Sequence, residues 1–197
     1  MPHRIPFWLL VLLVAACFVS VGCSTTDGWP LRAPQSVAWN VDPTIPTAAR
    51  APAGHILLGH VIGKGVQIYT CQADTSGGHA WVHSGAEADL IDEDGNVIGR
   101  HYAGPTWEFN HGGKVTAQRL VAVPQTKAPP WLLLGATDNS GSGTLGRTRY
   151  IQRVHTAGGL PPAICNASDT GKEIRVAYTA DYYFYGPLAA PTRIDRD

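Results

Sequence analysis

The chain has 197 residues, with 15 Lys+Arg against 15 Asp+Glu and only 15% charged residues, below the usual quarter. It contains no Lys/Arg run or basic stripe, which argues against nucleic acid or an anionic membrane surface as a partner. Gly and Pro number 22 and 15, a composition that fits short strands joined by tight turns and disfavours a helix bundle.

Met1-Pro-His-Arg4 is a minimal positive start, and Phe7 to Ala16 (FWLLVLLVAA) is an apolar run too short to span a bilayer comfortably, so residues 1–22 read as an export signal of the lipoprotein type. Two cysteines follow small residues, as Ala15-Ala16-Cys17 and Val21-Gly22-Cys23. Cys23 is the expected lipidation site because Ser24-Thr25-Thr26 follows it and a longer apolar run precedes it; Cys17 is the alternative. An ordinary secretory signal or an uncleaved anchor would leave both cysteines incidental. Loss of Arg4 with the signal leaves 14 basic against 15 acidic residues. Residues 23–53 carry Pro30, Pro34, Pro43, Pro46 and Pro52 with little apolar periodicity, the pattern of an extended tether. An arm laid over the domain, anchored by Trp29 and Trp39, is the other reading. The expected location is a bacterial cell envelope, with the lipid anchor in a membrane and the domain periplasmic or at the surface.

Residues 54–188 form the expected domain, and residues 189–197 a tail. Alternation of period two marks strand segments at Ile56–Ile62, Val66–Gln72, Ala80–His83, Ala88–Ile91, Val97–Tyr102, Trp107–Asn110, Lys114–Val123, Trp131–Thr137, Tyr150–Thr156 and Ile174–Phe184. Asp94-Gly95-Asn96 and His111-Gly112-Gly113 supply turns. Lys114–Val123 places Val115, Ala117, Val121 and Val123 on one side. About nine or ten antiparallel strands in this length imply an all-β barrel or sandwich, since an open sheet so wide leaves a face uncovered. Asn139 to Gly146 is Gly-rich but lacks a phosphate-binding lysine, and reads as a flexible loop.

With Cys17 and Cys23 set aside, Cys71 and Cys165 remain, 94 residues apart. In an oxidising compartment a lone pair reads as a disulfide. No Cys-x-x-Cys spacing suggests zinc, and His79 and His83, four apart, would sit about 13 Å from each other on a strand. No metal and no cofactor is expected.

The phrases Gly63-x-Gly65-x-Gln67-x-Tyr69-x-Cys71, Gly99-x-His101-Tyr-Ala-Gly-Pro105-x-Trp107-Glu108, Pro130-Trp131-Leu-Leu-Leu134, Tyr150-Ile-Gln-Arg153-Val-x-Thr156-x-Gly158-Gly159 and Tyr178-Thr-Ala-Asp181-Tyr-Tyr-Phe-Tyr185 occur in that order. Together they resemble the secreted bacterial and fungal family known as domain of unknown function 3455, over roughly residues 54–186. His111-Gly112-Gly113 departs from it, standing where an acidic turn residue is expected. The resemblance implies export and one domain, and it implies no reaction.

Two candidate sites follow from the residues. His101, Trp107 and Glu108 flank a Gly104-Pro105 turn, where His101 or Glu108 would be an acid or base at a pocket mouth; the plainer reading is a structural corner in which Trp107 fills the core and the polar groups bond backbone. Asp181 interrupts an aromatic strand and would pair with Arg153 or His101, either around a ligand or as an ion pair holding strands in register. Tyr183 and Tyr185 are left as outward-facing binding candidates beside Arg153 and Trp107. No specific catalytic motif is present. The leading expectation is a non-enzymatic, lipid-anchored domain that binds a small molecule or envelope partner; the alternatives are an envelope enzyme using His101, Glu108 and Asp181, or a structural envelope protein.

Overall fold

In a strand, successive side chains point to opposite faces, so segments with one apolar face pair until that face is enclosed. The computed structural model describes residues 42–188; the signal, Cys17, Cys23, Trp29, Trp39, the tether up to residue 41 and the tail 189–197 lie outside the described residues. Eight antiparallel strands follow one another: β1 His55–Ala73, β2 His79–Ile91, β3 Val97–Tyr102, β4 Thr106–Phe109, β5 Lys114–Val123, β6 Trp131–Ser140, β7 Tyr150–Gly158 and β8 Glu173–Pro187. Each pairs with the next, and β8 returns to β1 in register from His55↔Pro187 to Thr70↔Glu173, closing a barrel.

The barrel uses eight strands where the alternation marks ten segments, because two pairs of segments are continuous. Ile56–Ile62 and Val66–Gln72 are halves of β1, which stays extended through Gly63-Lys64-Gly65. A Cβ on Gly63 would lie 2.5 Å from the Tyr182 ring, and one on Gly65 would lie 2.0 Å from the Glu87 carbonyl oxygen. These glycines therefore serve close approach and not a turn. Ala80–His83 and Ala88–Ile91 are halves of β2, joined through an irregularity where the register passes from Ile68↔Gly85 to Tyr69↔His83.

The two ends of the barrel differ. At one end the interior is packed: Val61, Leu90, Val115, Ile151 and Phe184 are buried together with Leu145, which is 1% exposed. Leu145 comes from the Gly-rich segment, which is a packed plug and not the expected loose loop. It forms the one-turn helix α1 Thr144–Arg147, fixed by Asn139 Nδ2 donating to the carbonyls of Leu145 (2.7 Å) and Thr148 (3.0 Å).

The other end carries the β1–β2, β3–β4, β5–β6 and β7–β8 connections. There the Cys71–Cys165 disulfide, with Cα atoms 6.1 Å apart, ties the long β7–β8 connection to β1. The Trp81 indole N–H donates to the Ile164 carbonyl at 3.1 Å and holds the same loop.

Outside the barrel, residues 42–50 lie across β5 to β8. Ile45 and Ala49 are buried against Val154, with Val123, Trp131 and Tyr183 packed around them, and Gln152 Nε2 donates to the Ala49 carbonyl at 2.5 Å. The last part of the Pro-rich stretch is thus docked on the sheet.

Candidate functional site

Eight strands enclose an interior that side chains either fill or leave wide enough for one small molecule. Here the plugged end is filled and the other is not. Ala86 on β2 and the Ala103-Gly104-Pro105 turn leave a cavity of about 390 Å³, within the roughly 300–1,000 Å³ range of small-molecule sites. Its walls are the Trp107, Leu132, Leu134 and Tyr182 side chains, with His83 and Arg119 towards the mouth. A smaller compartment of about 250 Å³ lies beside it, bounded by Gln67, Pro129, Pro130 and Leu160; it shares His83, Arg119, Leu132 and Arg153 with the first. Gly159 (φ +78°) lets the chain cross close beside Gln67 and Pro129, each 3.0 Å from where a Cβ would stand. Tyr69 donates its hydroxyl proton to the Gly159 carbonyl at 2.7 Å.

Alternation along β7 aims Ile151 and Arg153 inward and Gln152 and Val154 outward. Arg153 is 9% exposed, and its Nη2 donates to the Pro130 carbonyl at 2.9 Å. Its Nε has no partner, and among the described residues no carboxylate lies within ion-pair distance of it. Two further buried groups, Gln67 Nε2 and Trp107 Nε1, are also without partners. All three unsatisfied atoms are N–H donors, and buried donors are ordinarily paired.

His101 lies against this set. Its Nδ1 is 2.8 Å from the Thr106 carbonyl, so Nδ1 carries the proton, and its ring stacks on Trp107 at 4.4 Å. Burial, with the Arg153 charge adding to it, pushes the imidazole down to about 4, so it is neutral near pH 7. His83 is lowered by the same two causes. The Tyr178 and Tyr182 hydroxyls are 3.0 Å apart, and burial raises both above the ordinary tyrosine value.

The structure thus brings His101, Trp107 and Arg153 to one cavity and places the other sequence candidates elsewhere. Glu108 follows Trp107 on β4 and faces outward, where Arg100 Nη2 (2.9 Å) and the Tyr102 hydroxyl (3.0 Å) donate to it. Asp181 also faces outward and pairs with neither Arg153 nor His101. It accepts from His60 Nε2 (3.0 Å) and His155 Nδ1 (2.6 Å), and the other His155 nitrogen meets Asp42 at 2.8 Å. Tyr183 stacks on His60 outside the barrel, and Tyr185 donates to Gln152. His101, Glu108 and Asp181 therefore belong to three separate environments and form no common centre. A shallower exterior hollow beside Lys64 and Gly65 is bordered by Glu87 and Arg175, which pair with each other.

Gln67, His83 and Arg119 complete the cavity and were not among the site candidates, Gln67 standing only in a family phrase and His83 weighed only as a metal ligand. The alternation carried a signal for two of them. Arg119 shares parity with Val115 and Ala117, a charge in an apolar series. Gln67 shares parity with Val61, Gly63 and Gly65 on β1 in the same way.

A closed eight-stranded meander with one plugged end and one hollow end defines a small-molecule-sized β-cup. The chain belongs to the family described as protein of unknown function (DUF3455), whose model matches residues 52–186. No curated protein and no solved structure matches it.

Proposed function

We propose that this protein is an exported, lipid-anchored envelope domain that holds a small, largely apolar molecule in the open end of its barrel. The cavity carries this reading: an apolar-walled space of about 390 Å³ at the unplugged end of the barrel, next to buried donors that the protein itself leaves unpaired. Interiors are close-packed, and apolar pockets with a few placed polar groups are the usual form of ligand sites. Native mass spectrometry of the protein purified without detergent, combined with titration of an apolar fluorescent probe, tests it. The expected result is a probe or adduct bound one to one and lost when Ala86→Trp fills the cavity. Equal probe binding by that variant would end the reading.

The export signal and the Ser24-Thr25-Thr26 sequel support attachment through Cys23, with residues 24–41 as the tether. Cys23→Ala is expected to abolish lipid labelling. Labelling that survives in Cys23→Ala and is lost in Cys17→Ala would move the anchor to Cys17.

A further inference from the structure

We propose that the molecule held in the barrel carries a carboxylate, received inside the barrel by Arg153; this rests on the cavity reading above and names its ligand class. Arginine stays charged when buried, and a buried cation without an anion is costly. Arg153 is nine-tenths buried, yet the groups that meet it are neutral, the Pro130 carbonyl and the Tyr182 hydroxyl. Water would satisfy a donor but leave such a charge uncompensated. The other unpaired groups, Gln67 Nε2 and Trp107 Nε1, are donors as well, so every unmet demand in this interior is for an acceptor. Arg119, inward by parity and exposed at the mouth, is a second cation on the entry path and has no ion-pair partner among the described residues.

The donor geometry favours a carboxylate. A guanidinium offers two parallel N–H bonds that match two carboxylate oxygens. Nη2 gives one of its two protons to Pro130 and Nε gives none, so the edge formed by Nε and Nη2 still has N–H to offer two carboxylate oxygens. The single donors of Gln67 and Trp107 add too little to saturate the three oxygens of a phosphate dianion. The apolar remainder of the ligand lies along Ala86, Trp107, Leu132 and Leu134. A cationic or purely hydrocarbon molecule would leave Arg153 unmatched.

Titration of the purified protein at pH 7.5 with decanoate, 1-decanol and decyltrimethylammonium, followed by Trp fluorescence and calorimetry, decides the point. Decanoate is expected to bind roughly 10- to 100-fold tighter than decanol, and the cation most weakly. Arg153→Met is expected to erase the acid-over-alcohol preference, keep decanol binding and raise the melting temperature of the empty protein. Arg153→Gln serves if that variant does not fold. Equal affinity for decanoate and decanol in the wild type would overturn the carboxylate assignment and leave the cavity reading standing. No binding of either would overturn both. A preference that survives in Arg153→Met or Arg153→Gln would also overturn the assignment.

Discussion

His101 shows how one residue joins stability to the cavity. Its ring is enclosed, stacked on Trp107 and held neutral, with a value near 4 in the folded chain against about 6.5 when unfolded. The unfolded chain therefore takes up a proton that the native ring refuses. Stability is expected to fall as the pH drops from about 6.5 towards 4, by at most about 1.4 kcal/mol per unit. His83 is lowered too and acts in the same direction, whereas His155 is raised and acts in the opposite one. Subtracting the urea stability of His101→Gln from that of the wild type at each pH isolates the His101 share; parallel curves would mean that the ring is not held neutral. Its neighbours on β4 separate core from surface. Trp107 is 1% exposed, and Trp107→Ala is expected to cost about 3–5 kcal/mol as a core truncation. Glu108 lies outside the barrel with Arg100 and Tyr102, so Glu108→Gln is expected to leave the melting temperature close to wild type.

At the scale of elements, the docked arm is the feature with the weakest sequence signal. Its apolar contribution comes from Ile45 and Ala49, too few for any periodicity to announce. Its polar clamp needs His155 in a left-handed conformation (φ 49°), uncommon for a residue with a side chain. This occurs where the β7–β8 register shifts between Val154 and Ala157. There both ring nitrogens reach carboxylates, Asp181 and Asp42. Burial alone would lower His155, but hydrogen bonds to Asp181 and Asp42 outweigh it and raise it net. A raised histidine stabilises below its unfolded value and loses that contribution as pH climbs through its folded value. Limited proteolysis within residues 42–50 is therefore expected to speed up as pH rises above about 6.5, and Asp42→Asn is expected to flatten that dependence. A cleavage rate indifferent to pH would show that apolar contact alone holds the arm. The strands themselves were legible because each alternates, and Gly63-x-Gly65-x-Gln67-x-Tyr69 reads directly as the inner face of β1. The shifts at Ile68/Tyr69 and Arg119/Val121 were not legible, since an extra residue changes which face its successors occupy and leaves no local mark. For that reason Val123, assigned by parity to the face of Val115, packs instead against the arm. Asp181 was misplaced for another reason: its partners His60 and His155 are 121 and 26 residues away, and only barrel closure brings them together.

At the scale of the whole barrel, closure leaves no strand of β1 to β8 as an open sheet edge. The interior is apolar apart from the few polar groups at its open end, and charged Lys64, Glu87, Asp89, Arg100 and Arg175 face outward, the reverse of a barrel whose outer wall meets lipid. Stability and opening are divided between the ends: Leu145 and its neighbours seal one, while the other is bordered by loops. The disulfide belongs to the second end. It closes a 94-residue separation, for which chain-entropy reasoning gives about 4–5 kcal/mol of stabilisation as an upper range. Its local effect is more specific, because it secures the β7–β8 connection whose Leu160 lines the smaller compartment. The backbone pairs there as well, Cys71 N donating to the Lys172 carbonyl and Gly171 N to the Cys71 carbonyl. A Cys71→Ala/Cys165→Ala variant is thus expected to melt at lower temperature, with hydrogen exchange rising most in residues 159–172 and along the adjoining part of β1. Exchange at the Leu145 plug, on the far side of the barrel, is expected to rise least. Probe affinity should fall with the loosened loop, because Leu160 and the Pro129-Pro130 segment no longer hold a fixed wall. A uniform rise in exchange at both ends would instead mean that the bond acts only by restricting the unfolded chain, and that the wall of the cup is set by the strands alone.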